Sequence, residues 1–125
     1  MIANTQTKKH VFNPAIAENV GINAALLFDY FAYWTVRNMD EGKNISRGKA
    51  WIYTTAKALG SIYIYLTEAQ IKYALRKLQD AGMIENGGAV ATPYGRATAY
   101  TVPLALARDY ENAKRRQFGG QQYGE

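Results

Sequence analysis

The sequence contains no cysteine and one histidine, His10. The first absence excludes disulfide frameworks, thiolate metal sites and thiol nucleophiles, and it suits a reducing cytoplasm. No HExxH motif, cysteine–histidine set or carboxylate cluster supplies metal ligands, so no metal or other cofactor is expected. The glycine pairs Gly87-Gly88 and Gly119-Gly120 lack the strand-to-helix context and the lysine of a phosphate-binding loop. Asp40 and Glu41 are loop neighbours rather than an opposed acid–base pair, and Ser46 and Ser61 have no base near them in sequence. The usual parts of a catalytic site are therefore missing, and binding rather than catalysis is expected. Long apolar runs are missing too. The richest segment, residues 22–36, is broken by Asn23, Asp29 and Thr35 and falls short of the ~20 residues a membrane span needs. The first ten residues, MIANTQTKKH, lack the apolar core of a signal peptide.

What is present is ordinary for one globular domain: 125 residues, 48% of them apolar and 20% charged, enough to bury a core unaided. The net charge of +5 favours anionic partners such as nucleic acid. Residues 1–12 read as a flexible polar arm carrying Lys8, Lys9 and His10, and residues 119–125 as a flexible tail. Asn13-Pro14 opens a short helix. A long apolar helix follows over residues 23–38, with Asn23 as N-cap and Asp29, Tyr33 and Arg37 marking its wetter stripe. Residues 39–50 read as a polar loop containing Lys43, Arg47 and Lys49. Residues 51–55, rich in aromatic and β-branched side chains, read as a strand, and Thr54 or Thr55 caps a short helix after it.

The clearest helix starts at Thr67. Glu68 lies in its first turn, Gln70 completes a capping-box pattern, Ile71, Ala74, Leu75 and Leu78 share one face, and Gly82 stops it. Residues 83–85 and 98–102 read as two strands whose long glycine-bearing connection makes a β-wing. Pro103 ends the second strand, and residues 104–118 form a final amphipathic helix ending in Lys114, Arg115 and Arg116. The expected fold is α+β and mainly α: a winged helix-turn-helix over residues 13–103, with a three-helix core and a hairpin wing, plus the C-terminal helix.

Four stretches carry a narrower likeness: VGINAALLFDYFAYW at 20–34, KAWIYTTAKAL at 49–59, YLTEAQIKYALRKLQDAGMIENG at 65–87 and YGRATAYTV at 94–102. They are spread over residues 20–102, about two-thirds of the chain. They resemble, in order, the N-terminal winged-helix domain of replisome-organiser and replication-initiator proteins of phages and plasmids of Gram-positive bacteria. The resemblance implies a cytoplasmic DNA-binding module of replication, or of transcription control, with double-stranded DNA as its partner. Family members often carry two basic residues after the isoleucine matched by Ile71. Here Lys72 is followed by Tyr73.

At ~100° per residue, the face of the 67–81 helix opposite its apolar stripe carries Ala69, Tyr73, Arg76 and Asp80, flanked by Lys72 and Lys77, with Gln70 at one edge. Such a helix suits a major groove. Arg76, Lys72 and Lys77 are candidates for phosphate or guanine contacts, Gln70 for bidentate reading of adenine, and Tyr73 for stacking or a phosphate hydrogen bond. Arg96, in the wing, either meets the DNA backbone or minor groove or pairs with Glu85. The charges at Lys43, Arg47 and Lys49 and the run Lys114–Arg116 read as solvated charge that a phosphate backbone would also attract. Trp34 and Trp51 read as core, and Tyr53, Tyr63, Tyr65, Tyr94 and Tyr100 as packing around the wing and helix junction. Two alternatives stay open. One is a protein-binding winged helix that docks on a host or replisome protein. The other is a homodimer through the 23–38 helix or the C-terminal helix.

Overall fold

A computed structural model describes residues 9–118; the arm expected at residues 1–8 and the tail at 119–125 lie outside them. The described residues form a mainly helical α+β body of five helices and two small antiparallel sheets. Helix α1 (Pro14–Val20) begins as the sequence leads one to expect: Asn13 Oδ1 accepts from the backbone N–H groups of Ala15 and Ile16 at 2.8 and 3.1 Å, and Pro14 fills the first turn.

Helix α2 (Ile22–Glu41) departs from expectation at both ends. Gly21, not Asn23, is its N-cap, with no side-chain cap bond; its φ of +92° is open to glycine and makes the sharp corner from α1. At the far end the helix runs on to Glu41. The expected loop then folds as a tight hairpin, β1 (Ile45–Ser46) against β2 (Lys49–Ala50). Trp51 braces it, its indole N–H donating to Ser46 O at 3.1 Å.

β3 (Ile52–Thr54) leads into α3 (Ala56–Ile62), capped by Thr55 through a 2.9 Å bond from Ala58 N–H. A turn carries the chain into α4 (Glu68–Asp80). β4 (Glu85–Thr92) and β5 (Gly95–Thr101) are paired along nearly their whole length. The stretch expected as a long connection is therefore strand, closed by a two-residue turn at Pro93-Tyr94. The sheet order is β3-β5-β4. A bulge interrupts β4 at Gly87, where a Cβ would stand 2.6 Å from the ring of buried Trp51. Gly87→Ala is expected to displace that ring and destabilise the protein by about 1–3 kcal/mol. Thermal melting with tryptophan fluorescence reads the effect, and an unchanged melting temperature would refute the packing account.

The core gathers Leu27, Phe28 and Phe31 of α2, Leu59 and Tyr63 from α3 and its turn, Ile71 and Leu78 of α4, and Val102 and Ala107. α2 is thus the central helix, with most of its first half buried by the rest of the chain. α5 (Leu104–Phe118) lies antiparallel to it, with the Tyr110 ring edge-on to Phe28 at 5.0 Å and Arg108 paired with Asp40 at 2.9 Å.

Two expectations about charge fail here. Asp29 is not on a wet stripe. It is fully buried beneath α5, accepting from Tyr110 OH at 2.8 Å and from Lys114 Nζ at 3.0 Å. Lys114 is accordingly not solvated, and Glu111 Oε2 lies 2.8 Å from the same ammonium. Burial pushes the Glu111 carboxyl above its ordinary range, opposed by Lys114. A carboxyl whose folded value is raised contributes stability below its ordinary pKa and loses it as pH climbs through the folded value. Glu111→Gln is therefore expected to be more stable than the unaltered protein at neutral pH, with the gap closing towards pH 4. Urea unfolding across that range measures it, and a gap that widens on acidification would reverse the assignment.

Residues 10–12, expected as part of a flexible arm, are partly buried against the body. Phe12 lies against the core, and His10 stacks 4.4 Å from the Tyr63 ring and shares a 2.8 Å hydrogen bond with Tyr65 OH. Burial lowers the His10 pKa, with Asp29 opposing the shift. No described helix is long and apolar enough to cross a membrane.

Candidate nucleic-acid interface

Two local devices set the orientation of α4. Its N-terminus is locked by a reciprocal cap: Gln70 N–H donates to Thr67 Oγ1 at 3.1 Å, and Thr67 N–H donates to Gln70 Oε1 at 2.8 Å. Its inner face is held by buried Ile71, Ala74, Leu75 and Leu78. Helical geometry then leaves Ala69, Lys72, Tyr73, Arg76 and Asp80 in solvent, as the sequence predicts. Tyr73 is 66% exposed, with Lys77 Nζ 5.6 Å from its ring centroid, so the half-buried Lys77 leans along the ridge rather than away from it.

Gln70 is the exception among the expected contacts. Bidentate reading of adenine uses both its amide oxygen and its amide nitrogen, and the cap holds the oxygen. The two roles the sequence offers Gln70 compete, and in this structure the cap has it. Among the described residues no hydrogen bond engages its Nε2.

Arg96 stands on β5, where successive residues alternate sides. It shares its side with Thr98 and Tyr100, and the Tyr100 ring packs 5.3 Å from Phe31 of α2. Arg96 therefore rises from the sheet face turned towards the helices. The alternative pairing with Glu85 is not made. Glu85 takes Lys49 instead, at 2.8 Å.

Ion pairing sorts the charges. Arg37 and Lys43 meet Glu41, Lys49 meets Glu85, Arg108 meets Asp40, and Lys114 meets Asp29 and Glu111. These pairs occupy α2, the β1–β2 hairpin, the start of β4 and α5. Among the described residues no ion pair engages Lys9, Arg47, Lys57, Lys72, Arg76, Lys77, Arg96, Arg115 or Arg116, and three of these, Lys72, Arg76 and Lys77, stand together on α4. Glu68 and Asp80 are the acids on α4.

The structure adds two residues that the sequence did not mark as contacts. Lys57 is exposed in the first turn of α3; a lone lysine among small residues carries no pattern. Tyr94, expected to pack, is 99% exposed at the tip of the β4–β5 turn, and the Pro-Tyr-Gly turn was its available signal. The other aromatics divide. Tyr63, Tyr100 and Trp51 are buried and Trp34 is half-buried, while Tyr53 and Tyr65 are exposed. No protein-family model, curated protein or solved structure matches the chain.

Proposed function

We propose that this chain is a winged helix-turn-helix that works by binding double-stranded DNA, not by catalysis. In this reading α3 and α4 are the helix-turn-helix and β4–β5 is the wing. The order helix, strand, helix, helix and hairpin, together with the β3-β5-β4 sheet, supports it. The observation that carries the function is the row of unpaired cations along α4. Arg37, Lys43, Lys49, Arg108 and Lys114 are paired with acids, whereas Lys72, Arg76 and Lys77, in no ion pair seen among the described residues, line one side of a capped helix, with Tyr73 between them.

α4 enters the major groove. Lys72 and Arg76 supply phosphate or guanine contacts, and Tyr73 supplies a ring or hydroxyl contact. Lys57 reaches the backbone from the start of α3, and Arg96 does so from the wing. The resemblance to replisome organisers of phages and plasmids supports a role in replication, or in transcription control, in the cytoplasm. A duplex gel-shift titration over several salt concentrations tests the reading: affinity should fall linearly on a log–log plot against salt. No shift on any duplex at low salt would end it.

One observation favours docking on a host or replisome protein instead. Ile64, 78% exposed, and Tyr65 stand together in the α3–α4 turn, and exposed apolar neighbours suit a protein interface. Ile64→Ser with Tyr65→Ser should leave DNA affinity unchanged if that patch serves a different partner. The reason to expect a second copy on the 23–38 helix weakens, because residues 24–29 are buried by the chain itself.

A further inference from the structure

We propose that the ring of Tyr94 is the wing's own DNA contact, a wedge entering the minor groove next to the groove occupied by α4. This rests on the DNA reading above and adds to it a named contact at a second groove.

Four observations converge on that tip. The Tyr94 ring stands 99% in solvent, so the folded chain makes no use of it as packing. The turn that presents it is nevertheless rigid. Thr92 Oγ1 donates to Gly95 O at 2.6 Å and accepts from Tyr94 N–H at 3.2 Å, Pro93 restricts the backbone before it, and Gly95 takes a φ of +118° that suits glycine. A ring held out on a stiff turn loses little conformational freedom when a partner closes on it.

The hairpin behind the tip is slender. Beyond Asn86, β4 reads Gly, Gly, Ala, Val, Ala, Thr, and β5 up to Tyr100 reads Gly, Arg, Ala, Thr, Ala. Few side chains there would collide with the walls of a groove about 6 Å wide. Finally, no carboxylate occurs between residues 86 and 101, and the one charge in that span is Arg96, two residues after Tyr94. The tip is thus matched to an anionic partner, with a cation for the phosphates beside a ring for the base step. Apolar and aromatic wedges that enter the minor groove partly unstack a step and kink the duplex.

The test uses the whole chain with Tyr94→Ala and Tyr94→Phe, duplex gel shifts, and 2-aminopurine placed in turn along the bound site. Tyr94→Ala should weaken binding roughly tenfold, the scale of one base–aromatic contact, and should abolish a local 2-aminopurine fluorescence rise. Tyr94→Phe should retain both affinity and signal. Tyr94→Ala binding as tightly as the unaltered chain would overturn the wedge. So would Tyr94→Phe failing equally, since the hydroxyl rather than the ring would then make the contact. If the unaltered chain binds no duplex, the DNA reading falls and the wedge with it. If it binds, and Lys72→Ala with Arg76→Ala weakens it while Tyr94→Ala does not, the wedge alone falls.

Discussion

Lys114→Ala is expected to destabilise this protein by about 3–5 kcal/mol, a large part of the ~5–15 kcal/mol that holds a domain together. The ammonium lies under α5 with its side chain 5% exposed, 3.0 Å from Asp29 and 2.8 Å from Glu111. It also lies 5.6 and 5.8 Å from the rings of Tyr110 and Tyr33. Removing it leaves two buried carboxyls without their cation, and the penalty for a buried charge left alone exceeds what the pair itself contributes. Tyr110 still donates to Asp29, so part of the site survives. The burden falls on the α2–α5 contact. Urea unfolding should show a lower midpoint, and a triple variant, Asp29→Asn with Glu111→Gln and Lys114→Met, should recover most of the loss, because neutral groups of similar size need no cation. A Lys114→Ala protein as stable as the original would mean that water already reaches this site.

The second large effect concerns binding. Lys72→Ala with Arg76→Ala should leave the melting temperature nearly unchanged, since both side chains are exposed and lie outside the ion pairs seen among the described residues. DNA affinity should fall roughly thirtyfold or more, at a few-fold to a hundredfold per lost contact. The two losses differ in kind. A lost phosphate contact flattens the salt dependence by about one unit and weakens all sequences alike, whereas a lost guanine contact relaxes specificity at one position. Measuring each single variant on specific and unrelated duplexes at several salt concentrations therefore assigns each residue its role. Unchanged affinity in the double variant would remove α4 as the binding helix.

The expected elements were legible where the signal is local. α4 could be placed almost to the residue because its cap, its apolar period and its stop glycine all lie within one stretch of chain. The same holds for Asn13-Pro14 and for Pro103 before α5. Errors cluster where a local rule meets a distant partner. Asn23 is a good cap by type, but Gly21 already turns the chain one residue before the helix begins. Gln70 fits both a cap and a base contact, and the cap wins because its partner, Thr67, is three residues away whatever else the protein does. The long connection expected between residues 85 and 98 is strand, because Gly and Ala signal a strand weakly even when cross-strand pairing is complete.

By itself the sequence determined the periodic features: the helices, the cap of α4, and an outward face bearing Lys72, Tyr73 and Arg76. These follow from bonds and angles between near neighbours, which the order of residues specifies directly. The tertiary structure alone decided which distant charges are matched. Asp29 and Lys114 are 85 positions apart, as are no two groups a helical wheel can compare. His10 finds Tyr65 across 55 positions, and Tyr94 is left in water because the hairpin pairs out to its tip. A charge is neutralised or a ring is covered only by what folding brings against it, and that depends on how α5, the N-terminal residues and the sheet close around α2.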